Sequence, residues 1–124
     1  MTDSNEIIAK IRQKDILTIS RVITQVESSI CDELLSNIYK YIGHAYRIGI
    51  TGPPGAGKSS ITNHLIQKFK DLDKSIAVIA VDPTSPFTGG ALLGDRLRMS
   101  EHYSDSNVYI RSMASRGSQG GLSY

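Results

Sequence analysis

The stretch Tyr46-Arg47-Ile48-Gly49-Ile50-Thr51-Gly52-Pro53-Pro54-Gly55-Ala56-Gly57-Lys58-Ser59-Ser60 decides how the rest of the chain is read. It opens on a short β-rich run, 46–51, and crosses a cluster of Gly and Pro. It then enters a helical pattern with Ile61, Leu65, Ile66 and Phe69 on one face. Its centre, Gly52 to Ser59, satisfies Gly-x-x-x-x-Gly-Lys-Ser in full. Gly52, Gly55 and Gly57 let the backbone curl so that successive N–H groups face one anion. The helix that follows adds the positive end of its dipole. In such a loop Lys58 reaches the β- and γ-phosphates and the Ser59 hydroxyl ligates Mg²⁺. Pro53 and Pro54 stiffen the loop and remove two donors where the motif requires none. The bland alternative is a Gly-rich strand-to-helix turn that binds nothing. Few structural demands call for two glycines, a lysine and a serine at this spacing, so a nucleoside-triphosphate site is the reading adopted, from Gly52 to Ser60.

Upstream, residues 1–43 are predicted to form three helices. Ile7, Ile8 and Ile11 share a face. Asp15 can cap a second helix bearing Ile16, Ile19, Ile23 and Val26. A third starts near Asp32 with Leu34, Leu35, Ile38 and Ile42 on one side, and Gly43 suits its C-terminal cap. Tyr39, Tyr41 and Tyr46 are expected to pack these helices on a sheet. Downstream, Asp71 to Lys74 reads as a polar turn. Ile76 to Val81 is an unbroken apolar run, the pattern of a strand covered on both faces. Residues 82–90 read as a loop, Leu92 to Glu101 as a helix and Asn107 to Arg111 as a strand. The Ser- and Gly-rich segment 112–123 shows no element. Alternating strands and helices imply an α/β fold with a parallel sheet.

In a parallel sheet, ligands gather at the carboxyl ends of the strands. Asp82 closes the second strand and should face the same edge as the loop, where a carboxylate can hold a Mg²⁺-bound water or orient an attacking one. Asp95, beside Arg96 and Arg98, forms a second candidate patch. Both have plainer readings: Asp82-Pro83 is an ordinary turn starter, and Asp95 is a plausible N-cap. Arg111, Arg116 and the glycines of 111–121 read either as a switch or partner-contact segment or as a flexible connection.

Composition narrows the classes. A formal net charge of +2, with no stripe of Lys or Arg, argues against nucleic acid. The single cysteine, Cys31, cannot form a disulfide within the chain, and a cytoplasmic location fits. The polar N-terminus shows no signal-peptide pattern, and no apolar run approaches the roughly 20 residues that span a bilayer. His44, His64 and His102 are scattered, without ligand spacing.

Three segments, AYRIGITGPPGAGKSS, AVIAVDPTSPFTGGALLGDRLRM and IRSMASRGSQGG, together with ILTISRVITQVES near the N-terminus, resemble the methylmalonyl-CoA mutase-associated GTPases, the MeaB/ArgK family. The DPTSPFTGGALLGDRLRM segment is far more specific than the phosphate loop. The resemblance implies a P-loop three-layer parallel sheet of the SIMIBI class, which includes the signal-recognition and metallocentre-assembly GTPases. Residues 1–43 would form a helical N-terminal extension and residues 44–124 part of the GTPase domain. It implies GTP as substrate, GDP as product and Mg²⁺ as cofactor. Lys58, Asp82 and Asp95 would serve catalysis, and Ser59, Asp82 and Asp95 the metal. The implied partner is a cobalamin-dependent acyl-CoA mutase, whose adenosylcobalamin loading the GTPase would gate and which it would protect from inactivation.

Members of that family are longer. Their Walker B strand, their guanine-reading Asn-Lys-x-Asp motif and their C-terminal dimerisation helices have no counterpart before Tyr124. The expectation is therefore an N-terminal fragment, poorly stable by itself and feeble in hydrolysis. Two other readings remain: a P-loop small-molecule kinase, and a non-catalytic partner-binding fragment in which 1–43 carries the interaction.

Overall fold

The three amphipathic segments before residue 43 do fold as helices: α1, Ser4–Arg12; α2, Ile16–Ser28; and α3, Asp32–Tyr39. The computed structural model describes residues 4–28, 32–82 and 102–114, and the structural statements that follow concern these. Cys31, Asp95, the expected helix 92–101, the loop 83–90 and the segment from 115 onward lie outside them. The chain divides into two units, Met1–Arg47 and Ile48–Tyr124.

In the first unit α1 packs against both α2 and α3, and Ile8, Val22 and Leu34 are the buried apolar residues. Asp15 caps α2 as its sequence position suggests. Its Oδ1 accepts the Thr18 N–H at 2.7 Å, and its carbonyl accepts Ile19 N–H at 3.0 Å. Hydrogen bonds from Thr18, side chain first and then backbone, hold the Asp15 carboxyl below its ordinary value. The α2 face centres on Val22, which the expected set omitted, with Ile19, Ile23 and Val26 half-buried beside it, while Ile16 is exposed.

Two details correct the expectation for α3. The helix stops at Tyr39, and tighter i→i+3 bonds follow, from Tyr41 N–H to Ile38 O and from Ile42 N–H to Tyr39 O. Gly43 lies beyond that turn and has no left-handed φ, so it does not form the cap. Leu35 and Ile42 are exposed, because a unit this small cannot cover every apolar side chain. Tyr39, Tyr41 and Tyr46, expected as packing residues, are exposed as well, Tyr46 by 90%. Tyr41 instead lies under the Arg12 guanidinium, 5.5 Å from its ring centre.

The left-handed residue appears elsewhere. Lys14, at φ 60°, ends α1: its N–H bonds Ile11 O at 2.9 Å, and Asp15 N–H reaches back to Lys10 O at 3.0 Å. This is a Schellman closure. It recurs after α4, Lys58–Asp71, where Asp73 has φ 54°. There Asp73 N–H bonds Lys70 O at 2.9 Å and Lys74 N–H bonds Phe69 O at 3.0 Å.

The second unit holds α4 and two parallel strands, β1, Ile76–Asp82, and β2, Val108–Ala114, in register from Ile76↔Val108 to Asp82↔Ala114. α4 packs on β1, with Ile66 on α4 and Val108 on β2 buried. Lys70 Nζ meets Asp105 Oδ2 at 2.9 Å, joining the end of α4 to the turn before β2. In that turn Asp105 Oδ1 accepts Asn107 N–H at 2.9 Å, and Ile76 N–H donates to Asn107 O at 2.8 Å as the ladder begins.

Three further expectations change. β2 runs on through Ala114, so Arg111 lies inside a strand instead of opening a loop. β1 is covered on one face only: Ile76, Val78 and Ala80 are half-buried, whereas Ile79 is 46% and Val81 40% exposed. Within the second unit α4 packs on β1, and a second layer is needed to cover the other face. The run 46–51 forms no strand and is exposed throughout. β-propensity does not make a strand without a neighbour for its N–H and C=O groups, and β1 and β2 pair only with each other among the described residues. None of the described helices is long and apolar enough to cross a membrane.

Candidate nucleotide-phosphate site

The phosphate loop is built in two halves. In the first, Ala56 N–H donates to Pro53 O at 3.3 Å and closes a four-residue turn. Pro54 is its second residue, and Gly55, at φ +76°, its third. A proline ring cannot adopt positive φ, so a hydrogen-bonded turn with this combination is type II. Gly57 follows at φ +90°, directly before α4. Left-handed residues flanking Ala56 curl the backbone into a concave strip, the geometry in which successive amides converge on an anion.

The second half is the start of α4. Ile61 N–H to Gly57 O, 3.0 Å, is the first helical hydrogen bond. The N–H groups ahead of it have no acceptor within the helix, and no side chain caps the helix at Gly57. The first turn carries no acidic residue, while Lys68 and Lys70 occupy the last turn. No acidic residue of this first turn offsets the positive end of the dipole.

Lys58 folds back across this strip. Its Nζ donates to Gly52 O and to Pro53 O, both at 2.8 Å. Its stem passes Gly52, where an added Cβ would lie 3.9 Å from Lys58 Cγ and Cδ and 3.6 Å from Ala56 Cβ. An ammonium group has three donors. Two of them clasp the loop.

Ser59 is half-buried at the second position of α4, and Ser60 follows, exposed. Further along, Thr62 Oγ1 donates to Lys58 O at 2.8 Å. His64 Nδ1 lies 2.8 Å from Ser60 O; since a carbonyl only accepts, Nδ1 carries the proton there. Both side chains are turned back onto their own helix.

Asp82 is the last residue of β1, its backbone opposite Ala114. A four-residue turn separates α4 from the strand it packs on, so the two run in opposite senses. Fourteen helical residues span about 21 Å, and seven strand residues span about 23 Å. The matched lengths bring the carboxyl end of β1 and the amino end of α4 to the same side of the second unit. Gly52 to Ser60 are thus gathered in one loop and helix start, Asp82 shares their edge by topology, and Asp95 falls outside the described residues. Read as stiffeners, Pro53 and Pro54 concealed the type II turn they belong to. The signal was present as Pro-Gly at the two central turn positions.

Comparison with known proteins bears on the same residues. The family model of the methylmalonyl Co-A mutase-associated GTPase MeaB matches residues 19–124. A protein of Pyrococcus horikoshii named "Putative GTPase" is 50% identical over 125 aligned residues, covering 99% of this chain and 39% of the relative. The GTPase ArgK of Escherichia coli is 39% identical over 124, covering 95% of this chain and 38% of its own length. A fused isobutyryl-CoA mutase of Geobacillus kaustophilus is 51% identical over 78 residues, 61% of this chain and 7% of that protein. The chain thus spans about two fifths of the stand-alone relatives it matches. On the match over residues 19–124 and these identities, the chain belongs to the methylmalonyl Co-A mutase-associated GTPase (MeaB) family.

Proposed function

We propose that Gly52 to Ser60 grip the polyphosphate of GTP, and that the chain is part of a Mg²⁺-dependent GTPase serving a cobalamin-dependent acyl-CoA mutase. The observation that carries this reading is the Lys58 clasp over a left-handed loop at the uncapped start of α4. Backbone amides at the start of α4 donate to the β- and γ-phosphate oxygens, and the Lys58 ammonium neutralises charge between them. The Ser59 hydroxyl with the Asp82 and Asp95 carboxylates makes an all-oxygen donor set that suits Mg²⁺. These residues would hold Mg²⁺, which would supply neutralisation of the charge that develops on the phosphates. Asp82 or Asp95 orients the attacking water. The full arrangement requires the three-layer P-loop sheet, of which residues 44–124 form a part and residues 1–43 a helical extension.

The acyl-CoA mutase client is supported by the family's description and by the fused relative, which carries a similar stretch within a protein named as a mutase. The role is chaperone-like: gating adenosylcobalamin loading and protecting the mutase in the cytoplasm. The test has two arms. Titration with GTP and ATP, each with and without Mg²⁺, is expected to show Mg²⁺-dependent triphosphate binding by this chain, with preference for GTP in the longer family proteins that carry the guanine-reading motif. Pull-down with a cobalamin-dependent acyl-CoA mutase is expected to retain the mutase in a nucleotide-dependent manner. ATP preference with phosphorylation of a metabolite would replace this reading with a kinase.

A further inference from the structure

The conformation of 53–56 does more than permit the loop. Pro53 and Pro54 have no N–H, and the Ala56 N–H is held by Pro53 O at 3.3 Å. Pro53 O also accepts Lys58 Nζ at 2.8 Å, so one carbonyl ties the turn to the lysine. The ring of Pro54 fixes φ at the first central position, and Gly55 supplies the left-handed second position. An added Cβ at Gly55 would meet nothing within 4 Å, so backbone angle and not space restricts that residue.

We propose that the Pro54-Gly55 turn is a positioning element: it sets the loop and the Lys58 ammonium in phosphate-binding geometry before nucleotide arrives. The inference rests on the reading of this loop as a GTP site. Its physical basis is pre-organisation. A chain whose unbound states are already narrowed loses less conformational entropy on binding.

The experiment is calorimetric titration of the full chain with Mg²⁺·GTP and with inorganic pyrophosphate, for the wild type, Pro54→Ala, Gly55→Ala and Gly55→Asn. Pro54→Ala frees one φ and is expected to weaken binding of both ligands about two- to fivefold. Gly55→Ala forces an L-residue to positive φ and is expected to weaken it more, roughly five- to 150-fold. Gly55→Asn is expected to recover most of that loss, because Asn tolerates the left-handed region although it is larger than Ala. That order, Gly then Asn then Ala, separates backbone positioning from side-chain volume, which predicts the reverse of the last two. Far-UV circular dichroism of each variant checks that α4 persists. A reduced-affinity variant with an unchanged spectrum supports the proposal. Wild-type affinity in Pro54→Ala and Gly55→Ala overturns it while leaving the GTP site intact. Failure of the wild type to bind either ligand overturns the site reading and this inference with it.

Discussion

Lys58 is the residue on which most depends. Its ammonium closes the loop onto Gly52 O and Pro53 O, and in the proposed site its third donor would serve the ligand. Lys58→Met removes both roles while keeping much of the stem. Since hydrogen bonds involving charged groups contribute about 1.5–3 kcal/mol, GTP affinity is expected to fall roughly 10- to 150-fold; titration calorimetry reads this directly. Lys14 offers a test of the opposite sign. It holds φ 60° at the end of α1, a conformation that is unfavourable for an L-residue. Lys14→Gly is expected to stabilise the first unit by up to about 1 kcal/mol, the relief being partly offset by Gly entropy in the unfolded chain. A lower denaturation midpoint would show that the cap is not limited by φ. Asp15 makes the pH prediction. Its folded-state pKa is depressed by hydrogen bonds from Thr18, so its contribution is present above the ordinary 3.8 and fades as pH falls through the folded value. Asp105, depressed by the Asn107 N–H and then by Lys70, acts with the same sign in the second unit. Helical signal is therefore expected to decline below about pH 4, and Asp15→Asn, which keeps a capping oxygen without the titration, is expected to flatten the part due to α2.

At the level of elements, the helices were legible and their ends were not. Apolar spacing located α1, α2 and α3, and Asp15 announced the start of α2, because caps and periodicity are local. Gly43 misled, since a glycine after an apolar run signals a cap only if the helix reaches it. The real left-handed closures fall on Lys14, a residue type that carries no such signal, and on Asp73, a type that carries a weaker one than glycine. Strands depend on partners, which a sequence window cannot see. Ile76 to Asp82 forms β1 because β2 pairs with it, whereas 46–51, of similar propensity, pairs with nothing described. In the loop 52–59 the glycines were the most legible feature, Gly55 and Gly57 standing where the backbone takes positive φ. Asp82 was legible only through sheet topology. Ile66, 2% exposed, is the buried residue of α4, the helix that packs on β1. Ile66→Ala is expected to cost about 2–5 kcal/mol and to abolish cooperative melting of the second unit. A melting curve unchanged from wild type would mean that α4 draws its order from elsewhere.

At the scale of the whole molecule, few side chains among the described residues are buried and many large apolar ones are not. Ile48, Ile50, Ile79 and Val81 all remain exposed in the second unit. A two-stranded sheet with one helix is marginal by itself, and apolar groups left in water favour association. The chain is expected to bind an apolar dye such as ANS and to elute larger than a monomer in size-exclusion chromatography at micromolar concentration. A sharp monomer peak without dye binding would show that these surfaces are covered. Because the chain covers about two fifths of its stand-alone relatives, the same assays on the longer family proteins give the natural comparison.

The central claim is that the clasped loop at the start of α4 holds a nucleoside polyphosphate. The most direct measurement is the amide NMR spectrum of the full chain titrated with Mg²⁺·GTP. The account predicts saturable shifts concentrated at Gly55 to Ser60 that disappear in Lys58→Met. Shifts scattered over other residues, or a loop that stays silent at saturating nucleotide, would contradict it.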